Sequence, residues 1–367
     1  MSRLDPRRRP ALGRGVPRPA REDGSGGGLR RSLPPRPPGR LLGELRRPRA
    51  EAGPLKPKIL VVGGVTAAGK TAAAIALARR FGGELVGADS VQIHTELDVG
   101  SAKPRPDELG GVRHHLIDLL APTETIDAAR YAALADAAIE DIAARGKLPI
   151  VVGGTGLWLR ALTRGLAPLP APDPAIRAAL EAEAAADLPA LHARLGQIDP
   201  EAASRIHPND ALRIVRALEV YTQTGEPLSA HHARHAQGGP RYPLRFYVLD
   251  LPRERLYPKL KARIRAMLDA GWVDEVRGVL ARHGHVPPLK SVGYAQIVEH
   301  LQQAVPVEET ERLAYKATRV YTRRQRTWFR GEGRLGEGES LTWTNADALT
   351  DASALSQEIE GWLRRAG

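Results

Sequence analysis

Between Lys58 and about Gly165, short apolar runs alternate with stretches of helical periodicity, the arrangement that builds a parallel sheet with crossover helices. Ile59–Val62 predicts a first strand, Glu84–Ala88 a second, His115–Leu120 a third and Leu148–Val152 a fourth. The Ala-rich stretch Thr71–Arg80 and the stretch Ile126–Ala144, closed by Arg145 and Gly146, predict helices. After Leu166 the character changes. Pro168, Pro170, Pro172 and Pro174 mark a boundary, and Ala175–Ala186, Leu188–Leu195 and Asp210–Thr222 read as helices with no strand among them. Phe246–Leu251 predicts a further strand, Glu254–Ala270 a helix ending at Gly271, and Glu308–Arg330 a second helix. Leu341-Thr342-Trp343 and a last helix close the chain.

A length of 367 residues allows two domains, and 42% apolar residues supply a core. With no cysteine there are no disulfides, thiolate metal sites or cysteine nucleophile, which fits a reducing cytosol and makes a cytoplasmic location the expectation. No run of 18 apolar residues is present, so no membrane span is expected. The net charge of +12 suggests nucleic acid until it is located: fourteen Arg and one Lys against five acids put +10 of it between Met1 and Lys56. That segment holds Arg7-Arg8-Arg9, Gly26-Gly27-Gly28 and Pro34-Pro35-Arg36-Pro37-Pro38, and reads as a disordered tail over 1–57. Its prolines oppose the amphipathic helix of a transit peptide. A misplaced start, with the product beginning near Leu55, is the other expectation, which the intact mass of the native protein tests.

The candidate chemistry begins directly after the first strand. Gly64-Val65-Thr66-Ala67-Ala68-Gly69-Lys70-Thr71 fills GxxxxGK(S/T), a P-loop in which backbone N–H groups converge on phosphate oxygens, Lys70 adds a point charge and the Thr71 hydroxyl can ligate Mg²⁺. The following helix aims its positive end into the loop. The fold class is therefore α/β: a P-loop parallel-sheet core with helices on both faces, built from 58–166 and 241–367 and interrupted by an all-helical domain over 167–240.

Asp89 ends the second strand on the loop's edge of the sheet, where open α/β sheets bind ligands. It suits a base, and equally a cap for the next element together with Ser90. The fourth strand ends in Val151-Val152-Gly153-Gly154-Thr155 without the acid that P-loop kinases use to hold Mg²⁺, although Asp118 could substitute. Arg312, Lys316, Arg319, Arg323, Arg326 and Arg330 recur at steps of four and three, which predicts one basic face with Leu313, Ala317, Val320 and Trp328 opposite. With no acid inside that window to pair them, an RNA backbone or a polyphosphate is the expected partner. His231, His232 and His235 invite a metal reading, against which stands the lack of a nearby Asp, Glu or Cys; an exposed loop is the expectation. Trp158, Trp272 and Trp328 are expected in the core.

Together these segments resemble the tRNA dimethylallyltransferase (isopentenyl transferase) family. The likeness covers 58 to about 331. It rests on Gly64–Thr71, Asp89-Ser90-Val91-Gln92, Asp98-Val99-Gly100-Ser101-Ala102-Lys103-Pro104, His114–Asp118 and Gly153–Leu157. It continues through His207-Pro208-Asn209-Asp210 with Arg213 and Arg216, Val292-Gly293-Tyr294, and Arg324–Arg330. The resemblance implies that the loop grips the diphosphate of dimethylallyl diphosphate with Mg²⁺, through Thr66, Lys70 and Thr71. It implies that Asp89 takes a proton from adenine N6 and that Arg263 stabilises the leaving group. Ser90, Val91, Gln92, Thr155, Arg177, Leu212, Arg213, Ile214, Val215 and Arg216 match positions that touch tRNA, whose target base must leave its stack. The resemblance implies the adenosine 3′ of the anticodon as the target, and the expected enzyme is a monomer of bacterial type.

Val65, Ala68, His94, Ser101 and Trp158 depart from the usual Pro, Ser, Tyr, Thr and Tyr. The first two leave the loop's backbone donors intact; His94 bears on contacts beside Asp89. A P-loop small-molecule or nucleoside kinase, binding ATP, is the competing reading.

Overall fold

Ile59, Leu60, Val61 and Val62 are fully buried at the centre of a sheet, in a computed structural model that describes residues 56–236, 238–332, 341–351 and 354–365. All but the last two residues of the expected tail lie outside these. Six strands, β1 (Ile59–Gly64), β2 (Gly83–Ala88), β3 (His114–His115), β4 (Leu148–Gly153), β5 (Leu244–Leu249) and β6 (Leu341–Thr344), form one sheet of order β3-β2-β4-β1-β5-β6. Every pairing is parallel, with Val61 opposite Val151 on one side and Phe246 on the other.

A strand covered on both faces needs an unbroken apolar run, because successive side chains point to opposite sides. Ile59 and Val61 pack with the helices Ala128–Ala144 and Gly156–Arg164; Leu60 and Val62 pack with the helices Lys70–Phe81 and Arg253–Asp269. Helices on both faces are as the sequence predicts. The third strand is not: pairing with β2 stops at His115, since Leu116 and Asp118 adopt φ of 59° and 52°. The chain turns instead along residues 92–95, where Leu119 N–H donates to Ile93 O and Thr95 N–H to Leu120 O.

The helical segment comprises Pro174–Ile198, Pro200–Arg205, Ala211–Thr224 and Leu228–Ala236 around Leu180, Leu191, Leu195, Ile214 and Leu218. Its first helix kinks at Asp187, which caps the second half by accepting from Ala190 N–H. The segment has its own core yet belongs to the same compact unit as the sheet. His231, His232 and His235 lie on the helix Leu228–Ala236, not in a loop.

A third core joins Leu97 and Ile264 to Trp272, Val276, Tyr294 and Ala314, on the helices Trp272–His283, Tyr294–Gln303 and Val307–Glu332. The last of these differs from the expected stripe. Its buried face carries Ala314, Thr322, Gln325 and Phe329, whereas Leu313, Ala317 and Val320 line an open surface groove with Lys316 and Arg324.

Candidate active site

The loop after β1 is shaped by its backbone. Gly64, Ala67 and Gly69 have φ of 133°, 65° and 90°, turning successive N–H groups inward as an anion nest. At Gly64 a side chain is excluded: a Cβ there would lie 2.1 Å from Leu249 O on β5. Val65 and Ala68, the departures from the resembled pattern, are buried beneath the loop rather than on its donor side. Gly69 provides no side-chain cap, so the first N–H groups of the helix Lys70–Phe81 are open to a ligand. The Thr71 hydroxyl makes no hydrogen bond among the described residues, unlike Thr163, Thr222 and Thr318, which bond back to their own helices.

Lys70 Nζ donates to Val65 O at 3.0 Å. Burial pushes its pKa down to about 8; Asp89 opposes that shift and Arg263 adds to it, so the three charges share one site. Asp89 makes the cap that the sequence left open beside the base. Its Oδ1 accepts from Val91 N–H at 2.9 Å and Gln92 N–H at 3.3 Å, while its second oxygen has no hydrogen bond among the described residues. Ser90 N–H donates to Thr155 Oγ1 at 3.0 Å, tying the ends of β2 and β4 together. Arg263, on the helix Arg253–Asp269, donates to Ser101 O at 3.4 Å, and burial lowers its pKa against the pull of Asp89. Gln92 donates to the same carbonyl. Glu275 fixes that loop by accepting from the N–H groups of Asp98, Val99 and Gly100 and from the Tyr294 hydroxyl.

The helix Val307–Glu332 crosses these strand ends. Gln325 accepts from Thr66 N–H and Oγ1 and donates to Gly154 O; Trp328 packs on Gly156 and Phe329 on Gly63. Tyr321 is held neutral, its pKa raised to about 12 by burial and by Asp89. The strand-end acid sought on β4 exists on β1's other neighbour: Asp250 follows β5. Arg326 pairs with it through two bonds of 2.6 and 2.7 Å, so its charge is already neutralised. Asp118, the other substitute, is ion-paired with Lys103.

The predicted RNA-facing residues divide. Leu212 is 71% exposed and Arg323 is exposed. Arg213 is exposed beside Asp210. Arg319 is exposed over the Tyr257 ring, 4.3 Å from its centroid. Ile214 and Val215 are buried in the helical core and offer no surface to a ligand. Arg177 and Arg216 both reach the buried Glu219, and Arg326 is spent on Asp250. Nor is the stripe free of acids, since Arg312 pairs with Glu309 one turn before it. Among the described residues no group of three His, Cys, Asp or Glu could hold a metal, so any Mg²⁺ would need ligand oxygens beside Thr71.

Residues 92–332 match the family model for IPP transferase. The chain belongs to the IPP transferase family. A tRNA dimethylallyltransferase of Sorangium cellulosum is 48% identical over 77% of this chain and 90% of its own length; one of Anaeromyxobacter dehalogenans is 52% identical over 75% and 90%. Among solved structures, the tRNA isopentenylpyrophosphate transferase of Bacillus halodurans superposes with a TM-score of 0.58 at 33% identity, over 83% of this chain and 94% of that one. A eukaryotic dimethylallyltransferase acting on tRNA gives 0.68 at 26% identity, over 82% and 77%.

Within this IPP transferase, Gln325, Tyr321 and Asp250 are the site residues that reading the sequence missed. Gln325 and Tyr321 stand in a basic stripe whose charges draw the eye away from one amide and one phenol. Asp250 falls inside the predicted strand Phe246–Leu251, whereas β5 ends at Leu249 and leaves it at the strand end.

Proposed function

We propose that the protein transfers a dimethylallyl group from dimethylallyl diphosphate to N6 of the adenosine 3′ of the anticodon in tRNA, releasing diphosphate. The observation that carries this reading is the meeting of Asp89, Lys70 and Arg263 at the mouth of a phosphate loop whose neighbouring strand-end acid, Asp250, is already neutralised by Arg326. A kinase needs that acid for its metal and acceptor; a prenyl transferase needs a cationic grip on the leaving group and a separate base.

In this reading the loop N–H groups, Thr66 and Lys70 bind the diphosphate. The adenine amine attacks the allylic carbon, the bond from that carbon to the diphosphate oxygen breaks, and the N6 proton passes to the free oxygen of Asp89. The amine becomes strongly acidic only as the C–N bond forms, so an ordinary carboxylate suffices as acceptor. Arg263 adds positive charge where the leaving group gains negative charge. The open Thr71 hydroxyl suits Mg²⁺ bound with the diphosphate, where it would supply charge neutralisation. The exposed Arg319, Arg323 and Arg213 are suited to the phosphates of the anticodon stem-loop. No helix among the described residues is long and apolar enough to cross a membrane, and the proposed setting is the cytoplasm, with the enzyme acting as a monomer.

The test is release of diphosphate by the full chain. Release should require dimethylallyl diphosphate and tRNA together, and ATP should not replace the prenyl donor. Turnover with ATP alone would defeat the reading in favour of the kinase.

A further inference from the structure

Gln325 is 6% exposed, lies on the helix that presents the exposed arginines, and is the side chain that joins that helix to the phosphate loop. Its Oε1 accepts from Thr66 N–H at 2.9 Å and from Thr66 Oγ1 at 3.1 Å; its Nε2 donates to Gly154 O at 3.1 Å. The orientation of the amide is dictated by these partners. A backbone carbonyl can only accept and a backbone N–H can only donate, so the two ends cannot be exchanged. The fit is tight, since a Cβ added to Gly154 would fall 2.5 Å from Nε2. Gly154 in turn precedes Thr155, whose hydroxyl accepts from Ser90 N–H beside Asp89. One amide therefore ties the diphosphate loop, the end of β4 and the basic helix into a single frame.

We infer that Gln325 is a positioning residue for the diphosphate, acting through Thr66, and that it registers the RNA-facing helix against the prenyl-donor loop. The inference rests on the function proposed above. Both donors of Thr66 face Gln325 Oε1, so the amide oxygen fixes the orientation of the Thr66 peptide and, through it, of the neighbouring loop N–H groups that face the diphosphate in the proposed reading. Removing that oxygen leaves the Thr66 peptide free to rotate. Replacing the amide by a carboxylate keeps an acceptor for Thr66 but sets negative charge against Gly154 O and against the incoming diphosphate.

The experiment compares Gln325→Met, which keeps the volume, and Gln325→Glu, which keeps the shape, with the wild-type full chain. Affinity for inorganic diphosphate in the presence of Mg²⁺ is read by calorimetry, prenyl transfer is read as KM and kcat, and the melting temperature is recorded for each. Gln325→Met, which removes all three bonds of the amide, should weaken diphosphate binding and raise KM for the prenyl donor by about tenfold, the factor expected if one loop donor to the diphosphate is lost as a result. Gln325→Glu should weaken both further than Met does, and tRNA affinity should stay within about twofold for either variant. A merely structural glutamine would instead lower the melting temperature and leave diphosphate affinity unchanged, which overturns the inference. If one variant fails to fold, the other carries the comparison. If the wild type binds no diphosphate, the inference falls together with the proposed function; if it binds and both variants match it, the inference alone falls.

Discussion

Asp89 caps a turn with one oxygen and leaves the other open, which separates its two roles experimentally. Asp89→Asn keeps an acceptor for Val91 and Gln92 N–H but cannot take a proton. Its melting temperature should match the wild type while turnover falls by a factor of roughly 10² to 10⁴ and tRNA affinity holds, by kinetics and filter binding. Unchanged turnover would remove Asp89 from the mechanism. Lys70 sets the pH dependence of donor binding. Its pKa of about 8 in the free enzyme rises when an anion arrives, so binding takes up a proton above that pH, and diphosphate affinity should fall as pH rises through about 8. Calorimetry in buffers of different ionisation enthalpy measures the uptake. Both Asp89 and Lys70 were legible in the sequence, because each sits at a fixed offset from an apolar strand. Gln325 was not, since what identifies it is a contact with Thr66 across 259 residues of chain.

Among the elements, the helix Val307–Glu332 departs most from its sequence pattern. Charge spacing placed its arginines on one face, but could not see Asp250, which draws Arg326 to the end of β5. Arg326 and Asp250 keep only 12% and 19% of their side chains exposed. Arg326→Ala should therefore cost about 2–3 kcal/mol in urea unfolding, somewhat below a fully buried pair, while leaving the salt dependence of tRNA binding nearly unchanged. Arg323→Ala should do the reverse, lowering the salt slope with little change in stability. At the opposite edge of the sheet, β3 is short because left-handed residues follow it, a feature no apolar run announces. Both ring nitrogens of His114 are buried there without partners among the described residues, and burial brings its pKa down to about 4. A histidine with a lowered folded pKa stabilises fully above its unfolded value and progressively less below it. Between about pH 6.5 and pH 4 this site alone should cost about 3 kcal/mol. His114→Phe should flatten that acid limb in urea titrations followed against pH.

For the molecule as a whole, the parallel sheet and its two-faced core were readable because central parallel strands must be apolar throughout, whereas the order of the strands was not. The helical segment was readable from its prolines and its lack of strands. What the sequence could not show is which of the remaining arginines are already paired. The basic excess of residues 1–56 lies, Lys56 apart, outside the described residues, and the chain after Lys56 carries a net charge of only +2 with several of its arginines already paired. The RNA recognition proposed above accordingly rests on a few exposed groups rather than on bulk charge. The measurement that tests the account most directly is nucleoside analysis of tRNA after incubation with the full chain, Mg²⁺ and labelled dimethylallyl diphosphate. The account requires one labelled N6-dimethylallyl adenosine per tRNA, at the position 3′ of the anticodon and absent with Asp89→Asn. Unmodified tRNA, or label on any atom other than an adenine N6, would contradict it.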